Sequence, residues 1–454
     1  MKHPLVWLTL CLCLTAPVYA GLLDDLTAGN ISASNATLSF RSIDAAGKPV
    51  PTKAVLEWGA DKNFGNKTEL QHSSESKPIE TTGPVEGLRC VYIDGLPPQQ
   101  TCHWKLTVTA ADGTSQEESG TFTTLEVDTT RKRGPDGTHK PPHTADYATP
   151  AAHVAKDWSE VNALLEKCTG GEVIEVAAQD PGEDKSIDLT GGQESWEKNV
   201  LIRPPLGRRS TSRAGGIEIN SPNITIAGFH ITGTAGMYPR YGNHRGNARG
   251  IGARRSFFWM CTLARQSSLM ANGCPDSGWY EVAALQRGVG SDRAQIKTYA
   301  DIAPDNFTIA GCWLEGRDRT NAKDHSDTLQ TLASDTSPIM GLRIVDSVFF
   351  RSANCSGQMT HLKNLMIENS WFGPLNIKSK VCGSFYSVLT SCDGAVIRNS
   401  DWNGNFRQTV NPGEVTHSRF HSLKFPGDIS HDNTVDDKLW PQPPFPDLKA
   451  VWPE

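Results

Sequence analysis

The sequence lacks several features that would point directly to a function. It has no excess of positive charge, because 44 Lys and Arg residues face 50 Asp and Glu residues and the net charge is −6. The molecule as a whole therefore does not attract nucleic acid or an anionic membrane. No cysteines have the Cys-x-x-Cys spacing of zinc or redox sites. No apolar run reaches the roughly 20 residues that span a bilayer. Because the net charge is negative, any recognition of an anion has to come from a local group of cations.

The chain is long enough for two folded domains, at 454 residues with 37% hydrophobic residues. Residues 1–20 combine a basic start at Lys2, an apolar stretch and small residues at the end, which is typical of a secretory signal peptide. We therefore expect a secreted or periplasmic protein, and a monomer. Export permits disulfides. The candidate pairs are Cys90 with Cys102, Cys261 with Cys274, and Cys382 with Cys392.

Residues 28–126 alternate apolar and polar residues over short runs separated by Gly, Pro, Asn and Asp, which predicts a small antiparallel β-sandwich. Leu96, Pro97 and Trp104 lie in segments that resemble a fibronectin type III module, of the kind that precedes the catalytic domain of purple acid phosphatases. The resemblance implies a spacer or carbohydrate-facing module. Residues 127–157 are rich in Pro, Thr and charge with no apolar period, which indicates a linker.

One unit recurs through the rest of the chain. Each copy has an apolar anchor, a turn pair such as Asp346-Ser347 or Asn369-Ser370, and a second apolar anchor five residues after the first. The first anchors are Ile174, Ile202, Ile226, Ile309, Ile344, Ile367, Ile397 and Val415. Their spacings are 18 to 35 residues, with one step of 83 that holds extra rungs or an insertion within 232–305. Such coils predict a right-handed parallel β-helix over 158–425, followed by a tail at 426–454. The alternative is a second antiparallel sandwich.

The segments SEVNALLEKCTGGEVIEVAAQ and GIEINSPNITIAGFHITG resemble secreted pectin-lyase-like β-helices, and chondroitinase B-like and alginate-lyase families begin similarly. The resemblance covers about residues 155 to 425. It implies an all-β protein that acts on an acidic polysaccharide.

Polar residues follow the second anchors, at what should be one corner of successive rungs. We expect them to gather into a basic groove that binds an anionic polymer, because Arg and Lys can each meet a carboxylate or sulfate. The predicted substrate-binding residues are Arg240, Tyr241, His244, Arg245, Arg317, Arg319 and Lys378. Aromatic residues nearby, among them Tyr238, Trp259 and Trp279, are candidates for stacking on sugar rings.

The densest polar segment is Lys323 to Gln330. His325 exchanges a proton near neutral pH, and Asp324 or Asp327 could orient it. The opposing interpretation is structural: Gln330 could form an amide ladder with Gln358 and Gln408.

A lyase of this fold needs a cation or Ca²⁺ on the uronate carboxylate, a base and an acid. The lyase resemblance implies Lys323 as base with Arg351 on the next rung, and His325 is an equally good base. Ca²⁺ is a candidate cofactor, with Asp324 as its candidate ligand. The predicted reaction is β-elimination.

Three alternatives stay open. A polygalacturonase-type hydrolase is disfavoured, because the only Asp-Asp pairs, Asp24-Asp25 and Asp436-Asp437, lie outside the predicted helix. A C5-epimerase would share the first step of the lyase. A glycan-binding adhesin would use both domains as scaffolds, and convergence of Lys323, His325 and Arg351 on one point would favour an enzyme over it.

Overall fold

The computed structural model describes residues 21–452, apart from 30, 45, 71–87, 178–185, 210–211, 239–251, 286–291, 300, 317–325, 353, 374–385, 422–429 and 437–438. The predicted signal peptide lies outside these residues. Within the described residues strand is by far the commonest regular structure, and the helical turns are Trp158–Glu160, Val161–Leu165 and Leu448–Val451. None of the helices described is both long and apolar enough to cross a membrane.

An antiparallel β-sandwich comes first, as the alternation of apolar residues predicts. Leu38, Phe40, Leu56, Leu106 and Val108 are fully buried between its two sheets, because successive side chains of a strand point to opposite faces. In sheet order, the strands are Leu23–Gly29, Ala36–Ser42 and Leu88–Ile93 in one sheet, and Asn66–Leu70, Thr52–Gly59, Thr101–Ala110 and Ser115–Thr123 in the other.

The rest of the chain forms a parallel β-helix with three faces, which confirms the predicted fold class. Face 1 contains His153–Ala155, Val173–Val176, Val200–Arg203, Ile224–Ala227, Phe257–Trp259, Gly278–Tyr280, Thr308–Ala310, Arg343–Val345, Met366–Glu368 and Ser430–His431. Face 2 contains Ser186–Leu189, Gly216–Ile219, Ala235–Met237, Leu269–Asn272, Ala294–Lys297, Leu329–Leu332, Ile339–Met340 and Cys355–Lys363. The long strands Tyr386–Arg398 and Asn405–Thr416 run through both faces. Face 3 contains Arg213–Ala214, His230–Ile231, Thr262–Leu263, Ala283–Ala284, Trp313–Glu315, Val348–Phe350, Trp371–Gly373, Asp401–Trp402, Arg419–His421 and Thr434–Asp436.

The predicted first anchors stack in one inward ladder on face 1. Ile174 pairs with Ile202, Ile202 with Ile226, and the ladder continues through all the other predicted anchors to Val415. Phe258 and Trp279 fill the step between Ile226 and Ile309. The 83-residue step therefore contains two further rungs, so the described part of 232–305 belongs to the helix itself.

The second anchors stack on face 3. Phe349 lies on Phe372 with ring centroids 4.7 Å apart and an interplanar angle of 10°, and Phe372 lies on Trp402 at 4.0 Å and 2°. Phe420 continues the stack below Trp402 at 6.2 Å. Offset stacking of aromatic rings stabilises such a column beyond the burial of its apolar area.

The backbone conformation explains which residue types occupy the turn pair between faces 1 and 3. Its first residue adopts a left-handed φ, 49° at Asp346, 44° at Asn369 and 51° at Asn399, and Asp and Asn tolerate that region better than other non-glycine residues. Its second residue is a serine whose Oγ accepts the backbone N–H of the preceding rung, at 3.3 Å from Ser347 to Ser370 and 3.1 Å from Ser370 to Ser400. The turn pair thus links neighbouring rungs by hydrogen bonds.

Residues 128–149, here called the strap, run along the β-helix from its later rungs to its earlier ones. The strap binds Asp401 through Arg131 and Arg133, then the carbonyl of Asp346 through the Gly134 N–H at 2.6 Å. Further along, Thr144 lies 2.8 Å from Thr225. The segment has linker composition because hydrogen bonds and ion pairs, rather than an apolar period, hold it in place.

The C-terminal tail also packs on the β-helix. Trp440 exchanges two hydrogen bonds with Asn403, at 2.6 and 2.9 Å. Gln442 is buried and accepts the N–H of Ala33 in the sandwich at 2.9 Å. Trp452 is buried as well and donates its indole N–H to Glu281 at 3.1 Å.

The described cysteines do not form the predicted disulfides. Cys261 and Cys274 are buried thiols at different corners of one rung, and Cys102 and Cys392 are thiols as well; Cys382 lies outside the described residues. Cys261 and Cys274 are separated because the chain passes along faces 3 and 2 between them. Burial raises the pKa of Cys261 to about 12 and that of Cys168 to about 11.

We therefore expect the thiols of Cys168, Cys261 and Cys274 to resist alkylation in the folded protein, because the reactive thiolate is disfavoured and covered. Iodoacetamide labelling at pH 8 followed by peptide mass spectrometry checks this, with labelling expected only at urea concentrations that unfold the helix. A Cys261–Cys274 cross-linked peptide in a non-reducing digest would contradict it.

Candidate functional site

Face 2 carries a continuous row of outward side chains. In several of its strands buried residues alternate with partly exposed ones, as in Ala294, Gln295, Ile296 and Lys297. The strands pair in register, so one outward position of each strand lies beside the same position of the next. These positions form the outward ladder of face 2, which is Asp188, Glu218, Gly236, Met270, Gln295, Gln330, Gln358 and Val388.

The centre of the outward ladder is a row of glutamines. Gln295 donates through Nε2 to Oε1 of Gln330 at 3.0 Å, and Gln330 donates through Nε2 to Oε1 of Gln358 at 3.4 Å. The predicted partnership of Gln330 with Gln358 is confirmed. The predicted place of Gln408 is wrong, because Gln358 pairs with Val388 and Gln408 pairs with Leu389, one position out of the ladder.

Two carboxylates lie beside this row on neighbouring rungs. Asp292 and Asp327 each precede a ladder glutamine by three residues, and parallel strands are about 4.8 Å apart. Asp292 accepts the backbone N–H of Asp327 on Oδ1 at 2.7 Å and the amide of Gln295 on Oδ2 at 2.7 Å. Asp292 is partly exposed, whereas Asp327 is 2% exposed.

The environment of Asp327 favours its protonated form. Burial, and after it the negative charge of Asp292, raise the pKa of Asp327 to about 7. Hydrogen bonds from Asn354 at 2.9 Å, from the N–H of Cys355 at 2.8 Å and from Gln330 at 3.0 Å oppose the rise. Because burial outweighs these donors, Asp327 holds a proton up to neutral pH and can give or take it there.

Most of the predicted site residues lie outside the described residues. They are Arg240, Tyr241, His244, Arg245, Arg317, Arg319, Lys323, Asp324, His325 and Lys378. The described members of the predicted set are Asp327 and Arg351.

The structure corrects the predicted position of Arg351. Its side chain is fully buried, within 3.6 Å of Glu315, and its guanidinium donates to Asn35 of the sandwich. The residue directly follows the second-anchor strand, as predicted, but the sandwich and the end of face 3 cover that corner. Arg351 therefore joins the two domains and does not line an exposed groove.

Of the predicted aromatic residues, two are buried and one is partly exposed. Trp279 is fully buried as a rung of the inward ladder, and Trp259 is buried beneath the strap, where Tyr147 meets it edge-on at 6.1 Å. Neither can stack on a sugar. Tyr238 is partly exposed and lies on face 2.

A second cluster lies under the strap, where side-chain oxygens and nitrogens of Asp136, His139 and Glu281 come within 4.8 Å of one another. Glu281 is fully buried and accepts the N–H groups of Asp136, Gly137 and His139 at 2.9 to 3.1 Å, besides the indole of Trp452. Burial raises the pKa of Glu281 despite these donors. Both of its oxygens already accept hydrogen bonds from the strap and the tail. Glu281 therefore suits a structural role, holding these two segments on the β-helix, better than that of a metal ligand.

Sequence reasoning singled out Asp327 but missed Asp292 and Gln295. A signal was present, because Asp-x-x-Gln occurs at 292–295 and again at 327–330, 35 residues later. That spacing equals one of the longer coils of the repeat, and it predicts the side-by-side arrangement that the structure contains.

No protein-family model matches the chain, and a search of curated proteins gives no match. Among solved structures, the chain is similar to PhoD at 13% identity and a TM-score of 0.18, over 37% of this chain and 31% of that one, so it spans about a third of the length of PhoD. It is similar to the surface adhesin PfbA of Streptococcus pneumoniae at 10% identity and a TM-score of 0.35, over 68% and 79% of the two chains. It is also similar to the family 28 exopolygalacturonase of Yersinia enterocolitica at 8% identity and a TM-score of 0.23, over 93% and 100%. At these values the likenesses assign no activity.

Proposed function

We propose that this protein is an exported glycoside hydrolase that cleaves a polysaccharide lying on face 2, with Asp327 as general acid and Asp292 as general base. The observation that carries the proposal is the carboxylate pair on neighbouring rungs, in which the pKa of Asp327 is raised to about 7 beside a more exposed Asp292. Pairs of carboxyl groups whose environments separate their pKa values divide the roles of acid and base in this way.

The chemistry uses both groups at once. Asp327 gives its proton to the glycosidic oxygen as the bond from that oxygen to the anomeric carbon breaks. Asp292, held by Gln295 and by the N–H of Asp327, takes a proton from the water that attacks the anomeric carbon. Exchange with solvent then returns Asp327 to its acid form and Asp292 to its carboxylate. The glutamine row offers amide groups that pair with sugar hydroxyls on either side of the cleaved bond.

The proposal revises the order of the sequence-based hypotheses. The sequence disfavours a polygalacturonase-type hydrolase because its consecutive Asp-Asp pairs lie outside the helix. The structure instead brings Asp292 and Asp327 together from neighbouring rungs, where Asp292 accepts the backbone N–H of Asp327. β-Elimination on a uronate polymer is the second candidate. It is favoured by the positions of Lys323 and His325, four and two residues before Asp327. In that reaction one of them would be the base and Asp327 the acid, with Asp324 as the candidate ligand of a Ca²⁺ ion.

One experiment separates these reactions. The mature protein is incubated with neutral, amino-sugar and uronate polysaccharides, with and without Ca²⁺, and both new reducing ends and ultraviolet absorbance of unsaturated uronate are measured. Hydrolysis predicts reducing ends without absorbance, and their loss by a factor of about 10² or more in Asp292→Asn. Asp335→Asn, an exposed carboxylate with a histidine partner at 2.7 Å, is the matched control and should keep full activity.

The other outcomes are equally informative. Reducing ends that appear together with absorbance, and that His325→Ala abolishes, would replace the hydrolase by the lyase. Binding of a polysaccharide without any cleavage, unchanged in Asp292→Asn, would replace both by a glycan-binding adhesin.

A further inference from the structure

A second feature of face 2 lies two rungs from Asp292 and three from Asp327, where an aromatic ring covers a glycine. The ring of Tyr238 lies over Gly236, so that a Cβ on Gly236 would come within 2.2 Å of the ring. Gly236 occupies the outward ladder between Glu218 and Met270. The absence of a side chain there leaves room for the ring. A partly exposed aromatic ring can serve as a platform for the apolar face of a sugar.

Asparagines flank the platform on both sides. Ile219 and Ala271 pair with Met237, so the residues that follow them, Asn220 and Asn272, are the neighbours of Tyr238 on the preceding and following rungs. Asn220 is 6% exposed and Asn272 8% exposed. The side-chain Oδ1 of each is buried and has no hydrogen-bond partner. Buried acceptors are rarely left in this state, because the lost hydration is costly; two beside one ring indicate a site whose partner groups come from a ligand.

The charges around the platform select the ligand. Asp188 accepts the Asn220 amide at 2.6 Å, and Glu218 lies beside it in the outward ladder. Burial and the charge of Asp188 raise the pKa of Glu218. Two carboxyl groups and two free amide oxygens are all hydrogen-bond acceptors when the acids are ionised. They match hydroxyl or ammonium groups and disfavour a uronate carboxylate or a sulfate. The cation Lys297 pairs with Asn272 on the following rung, on the side away from these acids.

We infer that Tyr238, Asn220 and Asn272 form a subsite for a donor-rich sugar, neutral or amino-bearing, so that the polysaccharide runs along the helix axis and is not a polyuronate. The platform at Gly236 is two rungs from Gln295, about 10 Å along the axis. A chain stacked on Tyr238 therefore extends directly over the glutamine row and the carboxylate pair. The inference rests on the proposed function for the direction of the chain, but the binding site itself does not depend on cleavage.

The test measures binding apart from activity. Asp327→Asn protein is applied to an array of oligosaccharides that holds several linkages of neutral, amino-sugar, uronate and sulfated classes. Binding is expected only in the neutral and amino-sugar classes, and the array shows which of these two classes is preferred. Preferred binding of uronate or sulfated sugars would overturn the inference, and so would binding of no class.

Two variants test the position of the subsite, with the oligosaccharide that the array identifies as ligand. Gly236→Ala displaces the far end of the Tyr238 side chain, which can move without disturbing the strand, and Asn272→Ala removes one acceptor. Each should weaken binding at least tenfold by calorimetry while the melting temperature stays within a few degrees, whereas Asn63→Ala in the sandwich hairpin should bind like the parent protein. Unchanged affinity in both face 2 variants would overturn the placement. Binding as expected without cleavage by the wild-type protein would refute the hydrolase alone.

Discussion

Asp327→Asn is expected to abolish cleavage and, at the same time, to stabilise the protein at pH 8. The pKa of Asp327 rises from 3.8 to about 7 on folding, so the folded protein binds this proton more tightly than the unfolded chain does. Its free energy of unfolding therefore falls as the pH rises from about 4 to about 7. A shift of this size corresponds to about 4 kcal/mol, as an order of magnitude. An asparagine carries no charge, so that loss disappears in the variant.

Urea denaturation at pH 4.5 and at pH 8 checks the prediction. The variant should exceed the wild type by roughly 2–4 kcal/mol at pH 8 and match it closely at pH 4.5, while the rate of cleavage falls by a factor of about 10² to 10⁴. The Asn354 and Cys355 hydrogen bonds are retained, because the side-chain oxygen of asparagine still accepts them. The Gln330 amide has to turn over to accept from the new amide group.

The combined result distinguishes a catalytic carboxyl group from a structural one. If Asp327 served only to hold the rung corner through its three donors, Asp327→Asn would lower stability at pH 8 and leave cleavage intact. Asp335→Asn is again the control, since an exposed carboxylate should show neither effect. A buried acid that costs stability at neutral pH is expected where activity needs its proton.

Among substitutions of the face 3 residues that contact the strap, Asp401→Ala is expected to cause the largest loss of stability. Asp401 is fully buried and pairs with Arg131 and Arg133 of the strap and with Arg419 of the next rung. Arg133 is itself buried, and burial lowers the pKa of its guanidinium. Removal of the carboxylate leaves Arg131 and Arg133 without this acidic partner and Arg419 with Asp128 alone, at 3.3 Å, which should cost about 3–5 kcal/mol.

The Arg398–Glu414 pair is the matched comparison. Its atoms are 2.7 Å apart, as close as those of many buried pairs, but the side chains are 47% and 37% exposed. Glu414→Ala should therefore cost far less stability than Asp401→Ala, because solvent screens an exposed pair. Urea denaturation of both variants, with hydrogen exchange of residues 128–134, checks the contrast, and faster exchange in the strap should accompany only Asp401→Ala. Equal losses in the two variants would show that burial does not set the strength of the Asp401 cluster.

The two predictions differ in how far the sequence anticipated them. Asp327 was recognised from a dense polar segment, yet its role changed when Asp292 was found beside it. Asp401 gave no signal at all, because its partners Arg131 and Arg133 lie in a stretch whose composition indicates a linker. The sequence places Arg351 directly after a second anchor, but the sandwich residue that it contacts, Asn35, lies more than 300 residues earlier in the chain.

The sequence by itself determined the parallel β-helix, the stacking of Ile226 with its counterparts on other rungs, and the turn pairs such as Asn369-Ser370. These features repeat within each rung, and a local pattern of apolar residues and left-handed turns specifies them. Only the tertiary structure decided that Asp292 lies beside Asp327, that Arg351 is buried, and that the strap crosses the rungs. Loops of unequal length separate the rungs, so the pairing of outward side chains depends on the register of whole strands and on which domain covers each corner.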